Sequence, residues 1–194
     1  MRLVLIRHAA VEIAPEVPAN RWFLSAAGQR AASALGESEA LRSVTTFATS
    51  PEPKATATAS AIANGRPIVE IAALAELDRP AAGWLSSQAA YMALVTEILH
   101  QPRRSIRGSE PAAQAQNRIV QAVDELQARL AGKDLAVVSH GIVLSLYMAH
   151  IRRLPSDLAI WEKIGLPDLA VVGPLQRTVL VDFGSDPHAA RSSG

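Results

Sequence analysis

The sequence predicts an α/β fold: a single-domain three-layer α/β/α sandwich with a mostly parallel central sheet and an antiparallel edge strand. Three observations lead there. Short apolar runs alternate with helical stretches along the chain, the pattern of βαβ units whose sheet is covered on both faces. Near the C-terminus two apolar runs follow each other across a short connection, as in a hairpin. The chain has 194 residues, 49% of them hydrophobic. That is enough for one domain with its own core, and no repeat or linker divides it.

The elements follow in order. Leu3–Ile6 is an apolar run too short to be a helix. Ser25 is suited to cap an Ala-rich helix that reaches about Gly36. Residues 44–49, "VTTFAT", are β-branched and aromatic, a strand signal. Pro51 suits the first turn of a helix ending near Ala63. Residues 68–71 form another strand. Residues 73–86 carry Asp, Arg, Pro and Gly and read as a loop, and Ser87–His100 reads as a helix. From Pro111 to Leu130, Ile119, Val123, Leu126 and Leu130 step by four, three and four and mark one helical face. Gly132 is the expected C-cap. Leu135–Val138 is a strand, and a largely apolar helix follows from Gly141 to about Ile151. Leu169–Val172 and Thr178–Phe183 form the hairpin. The domain is expected to span 1–184, with 185–194 a loose tail.

Composition excludes several classes. There are 19 basic and 18 acidic residues, a net charge of +1, which argues against a nucleic-acid-binding surface. The chain has no cysteine, so disulfides, thiolate zinc sites and thiol nucleophiles are removed together. The run at 3–6 is too short for a signal-peptide core. No stretch reaches the roughly 18 uninterrupted apolar residues of a membrane span. A soluble, cytoplasmic protein is expected, with no membrane or nucleic-acid partner.

Two strands end alike. "LVLIRHAA" (3–10) closes on Arg7 and His8, and "LAVVSHG" (135–141) closes on His140 and Gly141. If these strands are parallel neighbours, both imidazoles emerge at one edge of the sheet, where open α/β sheets bind ligands. A third strand ends at Ser50 and leads through "PEPK" into a helix, placing Lys54 in its first turn. Unpaired N–H groups there favour an anion. Arg7, Lys54 and the two histidines therefore outline a phosphate pocket, since arginine can grip phosphate through two parallel N–H bonds. Singly, each residue has a plainer reading: strand-end histidines are more often structural, and Arg or Lys more often solvated.

The sequence stretches "LVLIRHAA", "LSAAGQRAA", "ATSPEPKATATASAIA", "LAELDRPAAGW" and "AVVSHGIVLSLYMAH" resemble, in this order, the histidine phosphatase superfamily, which is phosphoglycerate mutase-like. The resemblance spans about residues 3 to 150. It implies that His8 is a nucleophile that takes the phosphoryl group and that Arg7 binds phosphate. It implies that His140 holds phosphoryl oxygens and that Glu76 protonates the leaving group. Asp78, two residues on, is the alternative proton donor. Lys54 falls where the family usually has arginine, and Ala9 replaces the glycine of "RHG". "RGSEP" at 107–111 matches the family's "GES" only loosely, so Ser109 and Glu110 are not assigned to the site. Trp84 is a candidate for the pocket mouth or the core. His100, His150 and His188 are given no role.

The implied activity is a metal-independent phosphomonoesterase, without cofactor, acting through a phosphohistidine on a small phosphorylated substrate. The alternatives are a mutase-type phosphotransferase, a protein phosphohistidine phosphatase and a non-catalytic phospho-ligand binding module. The compact stretch between Ser50 and Leu135 favours hydrolysis over a mutase, which needs a lid to keep water from its intermediate.

Overall fold

The computed structural model describes residues 1–79, 85, 87–130, 132–174 and 178–185. Strand β1, Leu3–Arg7, is the centre of the fold. Its alternating side chains feed two cores. Leu3 and Leu5 pack with residues of the later helices, including Val95, Ile119, Val123, Ile142 and Leu146. Val4 and Ile6 pack with Leu35, Ala59 and Ile62. The helices on the two faces are α1 (Ala26–Gly36) and α2 (Pro53–Ala63) on one side, and α3 (Gln88–His100), α4 (Ala112–Arg129) and α5 (Gly141–Arg152) on the other. The expected three layers are present.

The sheet adds β2 (Val44–Thr49), β3 (Ile68–Glu70), β4 (Asp134–Ser139), β5 (Asp168–Val172) and β6 (Val179–Val181). Their order is β3-β2-β4-β1-β5-β6. The pairs β2–β3, β2–β4 and β1–β4 are parallel, whereas β1–β5 and β5–β6 are antiparallel. The expected hairpin forms this side of the sheet: β5 is the strand that runs against the others, and β6, antiparallel to β5, runs with them. The hairpin folds back on itself, so β5 lies inside the sheet and β6 takes the edge.

Three further details differ from the sequence reading. Helix α2 starts at Pro53, not Pro51, because Glu52 has extended backbone and occupies the N-cap, with proline at the first helical position. Ala72–Leu74, at the start of the expected 73–86 loop, make a single 3₁₀ turn. A five-residue helix, α6 (Leu158–Glu162), interrupts the segment before β5. It is too short for any periodic signal to have marked it. Trp84, the centre of the "GPLQR" connection and nearly all of the 185–194 tail lie outside the described residues. Among the described residues, no helix is long and apolar enough to cross a membrane.

Helix α1 is fastened to the segment that follows β1. Ser25 N donates to Ala10 O at 3.0 Å, and Ser25 Oγ caps the helix by accepting from Gly28 N at 3.0 Å. Gly28 lies so close that an added Cβ would stand 2.0 Å from Ala10 O. Backbone cannot yield as a flexible side chain does. Gly28→Ala should therefore lower stability by about 1–3 kcal/mol, the usual cost of overpacking. Urea unfolding midpoints measure it, with Ala27→Gly as a control for helix propensity. Activity should fall too, because the displaced segment begins one residue after His8.

Candidate active site

The register of β1 on β4 sets Arg7 opposite Ser139. His8 N then donates to Ser139 O at 3.0 Å. The next residue on each strand is a histidine, and the two rings lie side by side, their centroids 5.1 Å apart. Both are buried, His8 to 7% exposure and His140 completely.

His8 has a defined tautomer. Its Nδ1 lies 2.8 Å from Ala9 O, and a carbonyl only accepts, so Nδ1 must carry the hydrogen. Burial above all, with Lys54 and Arg7 adding, pushes the ring's pKa down to about 3, against a smaller opposing effect of the Ala9 bond. A neutral ring with hydrogen on Nδ1 has its lone pair on Nε2. The turn behind it is held as well: Ala9 N donates to Thr58 Oγ1 at 3.0 Å, and that hydroxyl donates to Lys54 O at 2.7 Å.

His140 is the N-cap residue of α5. Its Nε2 lies 2.8 Å from Ser50 Oγ and 3.3 Å from Glu52 Oε1. Its Nδ1 is buried without a hydrogen-bond partner among the described residues. Burial, then the charges of His8, Lys54, Arg7 and Arg118, hold the imidazole well below its ordinary value.

Lys54 does reach this edge, in the first turn of α2, but its charge is already engaged. Its Nζ donates to Glu52 Oε2 at 2.5 Å and to Ala19 O at 2.7 Å. The other oxygen of Glu52 accepts from Glu76 N at 2.8 Å. The Glu76 carboxylate in turn covers the start of α5, where unpaired N–H groups favour a negative charge. Oε1 accepts from Leu77 N and Val143 N, at 2.9 and 3.2 Å, and Oε2 from Ile142 N alone, at 3.1 Å. The Glu76 loop is clamped from behind by Arg118 of α4. Its guanidinium donates to the carbonyls of Ala73, Ala75 and Glu76 and grips Glu110 through Nε and Nη2.

Arg7 is largely sequestered. Burial lowers its pKa, countered by Glu76, Tyr91 and Asp168. Its Nη1 donates to Ile164 O at 2.6 Å. Asp168, opposite Arg7 on β5, fixes the turn that carries Ile164 by accepting from Gly165 N and Gly184 N. The glycine of "SHG" has a steric cause here. A Cβ on Gly141 would stand 3.0 Å from both Arg7 Cζ and Trp161 Nε1. A larger residue would push the guanidinium away from the sheet edge.

The structure thus gathers Arg7, His8, Lys54, Glu76 and His140 at one edge. Asp78 is exposed, and only its backbone is tied down, by Glu110. Ser109 Oγ accepts from Ile106 N, and Glu110 pairs with Arg118, so both shape the loop behind the site. His100 and His150 are exposed on α3 and α5, and His188 lies outside the described residues. Ser50, Glu52, Thr58 and Arg118 were not anticipated. The first three sit inside the quoted "ATSPEPKATATASAIA", where the strand-end position of Ser50 was the available signal. Among the described residues, no group of three or more His, Cys, Asp or Glu side chains is placed to hold a metal ion.

A mostly parallel sheet that presents two strand-end histidines beside a half-buried arginine and a buried lysine is the class of α/β protein in which the chain falls. The chain belongs to the histidine phosphatase superfamily (branch 1), whose pattern matches residues 3–178. Solved structures agree in fold. YhfR of Bacillus stearothermophilus is 20% identical with a TM-score of 0.74, covering 96% of this chain and 98% of that one. A mycobacterial glucosyl-3-phosphoglycerate phosphatase, complexed with VO3, is 20% identical with a TM-score of 0.75, over 95% and 99%. The phosphoserine phosphatase of Entamoeba histolytica, complexed with 3-phosphoglyceric acid, is 16% identical with a TM-score of 0.73, over 95% and 97%. No curated protein sequence matches significantly.

The buried histidines give the stability a pH dependence of known sign. The unfolded His8 ring binds a proton below about pH 6.5, the folded ring only below about 3. Between those values the unfolded chain holds more protons, so stability falls as pH falls, by ~1.4 kcal/mol per unit for one full proton. His140 acts in the same direction. Denaturation midpoints between pH 6.5 and 4 should decline less steeply in His8→Asn than in wild type. Parallel declines would show that His8 is not buried as the neutral ring.

Proposed function

We propose that the protein is a metal-independent phosphomonoesterase that hydrolyses small phosphorylated metabolites through a phosphohistidine on His8. The observation that carries this is the His8 tautomer: Nδ1 is bound to Ala9 O at 2.8 Å, which leaves the Nε2 lone pair for attack on phosphorus. The family, and neighbours named for phosphatases of glucosyl-3-phosphoglycerate and phosphoserine, support a hydrolase acting on such substrates.

In the reading proposed here, phosphoryl transfer is chiefly positioning and charge stabilisation. Nε2 of His8 attacks phosphorus as the ester P–O bond breaks. The electron pair departs on the ester oxygen, which takes a proton from Glu76. Oε2 suits this role because it accepts one N–H bond where Oε1 accepts two. Water then attacks the phosphohistidine, Glu76 takes its proton, and the P–N bond breaks to return the lone pair to Nε2. Arg7, Lys54 and His140 hold the phosphoryl oxygens. Glu76 is favoured over Asp78 as the donor because it sits at the head of α5 beside His140, whereas Asp78 is exposed.

Phosphate release from an aryl phosphate tests the reading. Wild type should turn over, and His8→Ala should lose at least about a thousandfold in kcat, as loss of a nucleophile does. His150→Ala should keep wild-type rates. A His8→Ala protein that retains activity contradicts the assignment. Turnover should also survive exhaustive chelation, since the stabilising charges are assigned to side chains; loss on chelation with recovery on adding a divalent ion would require a different site.

A further inference from the structure

Among the described residues, Glu52 is the one carboxylate that touches three of the proposed site residues. Its Oε1 lies 3.3 Å from His140 Nε2 and accepts from Glu76 N, while its Oε2 holds Lys54 Nζ. The residue is 8% exposed. A buried carboxylate that only balanced Lys54 would have no need to face an imidazole as well. We propose that Glu52 is a positioning residue for His140: it holds the free imidazole as the Nε2–H tautomer and neutralises the imidazolium that forms when a phosphoryl group binds. The catalytic consequence rests on the phosphatase reading above; the tautomer does not.

Nε2 makes its hydrogen bond with Ser50 Oγ at 2.8 Å, and the Glu52 oxygen stands 3.3 Å away. A lone pair on Nε2 would face that ionised carboxylate, so the hydrogen belongs on Nε2, where Ser50 Oγ accepts it. The neutral ring then has its lone pair on Nδ1, the atom without a protein partner. In that form His140 cannot donate to a phosphoryl oxygen through Nδ1. It becomes a donor there by taking one proton from solvent as a dianion arrives. The groups facing the ring decide when this happens. His8 and Arg7 at the end of β1, Lys54 on α2 and Arg118 on α4 oppose a positive charge. Glu52, at the N-cap of α2, is the near group that favours it. The anion adds the second negative charge. The device resembles a base and its orienting acid, with the charge appearing only in the loaded site.

Nitrogen-15 histidine spectra of the full chain, with His140→Gln to assign the signals, test this with sulfate as the probe, a dianion that does not itself titrate near neutrality. The ligand-free wild type should show His140 protonated on Nε2. Saturating sulfate should convert it to the doubly protonated ring at pH 7. In Glu52→Gln the same conversion should need a pH lower by about one unit or more, since one facing charge is gone. A free ring protonated on Nδ1, or sulfate-bound titrations identical in the two proteins, would overturn the proposal.

Kinetics give an independent readout. Glu52→Gln should lower kcat about tenfold or more at pH 7, in step with the shift of about one unit that the loss of one facing charge causes. The loss should be equal for p-nitrophenyl phosphate and glycerol phosphate, and the alkaline limb of the pH–kcat profile should move to lower pH. A loss confined to glycerol phosphate, whose leaving group needs a proton, would make Glu52 the proton donor and overturn the positioning role. Wild type that releases no phosphate from either ester would defeat the phosphatase reading alone, and the spectra would still decide Glu52.

Discussion

The in-register parallel pairing of β1 with β4 is the constraint from which the site follows. It sets Arg7 against Ser139 and carries the ladder one step further, through His8 N to Ser139 O. Two histidines, 132 positions apart in sequence, thereby become neighbours without either loop having to find the other. Shifting a parallel strand by one residue turns every side chain to the opposite face. Here Leu3 and Leu5 would exchange cores with Val4 and Ile6, so the register is fixed by the same burial that stabilises the sheet. The geometry of the candidate site and the core packing thus share one cause.

Buried charge is the second theme. Ionisable groups crowd the sheet edge, and unpaired charges there would cost several kcal/mol each. The protein answers in two ways. The histidines are kept neutral by burial and by the cations around them. The cations are matched by carboxylates: Lys54 by Glu52 at 2.5 Å, and Arg7 by the nearby charges of Glu76 and Asp168. The backbone completes the arrangement. Glu76 closes the open N–H groups of α5, and Arg118 closes the carbonyls of the loop that bears Glu76. Lys54 is thus already engaged, whereas Arg7 Nε and His140 Nδ1 are buried without a hydrogen-bond partner among the described residues.

Much of this was legible in the sequence, for identifiable reasons. Strand ends are read from where an apolar run stops, so Arg7, His8 and His140 were visible. Lys54 was placed on its helix by the proline before it, although the helix begins at Pro53 because Glu52 is extended. The hairpin was visible as two apolar runs across a short connection, but the ladder partners of an apolar run are not written in the run itself, so the interior place of β5 was not. Glu52 was missed for a different reason. An acidic residue in a turn reads as solvated, and its burial depends on Lys54, Glu76 and His140 converging from three separate segments. Arg118 was hidden in the same way, because its carbonyl partners are 42 to 45 positions away. The five-residue α6 has too few turns to show a period.

The central claim is that His8 attacks through Nε2, and the position of the phosphoryl group on the ring tests it most directly. Brief mixing with a phosphomonoester, quenching in alkali and phosphorus-31 spectra of the denatured protein would distinguish the two ring nitrogens, with peptide mapping to locate the residue. The account predicts a base-stable, acid-labile phosphoryl group on Nε2 of His8, because Nδ1 is held by Ala9 O. Phosphate on Nδ1, or on any residue other than His8, would contradict it.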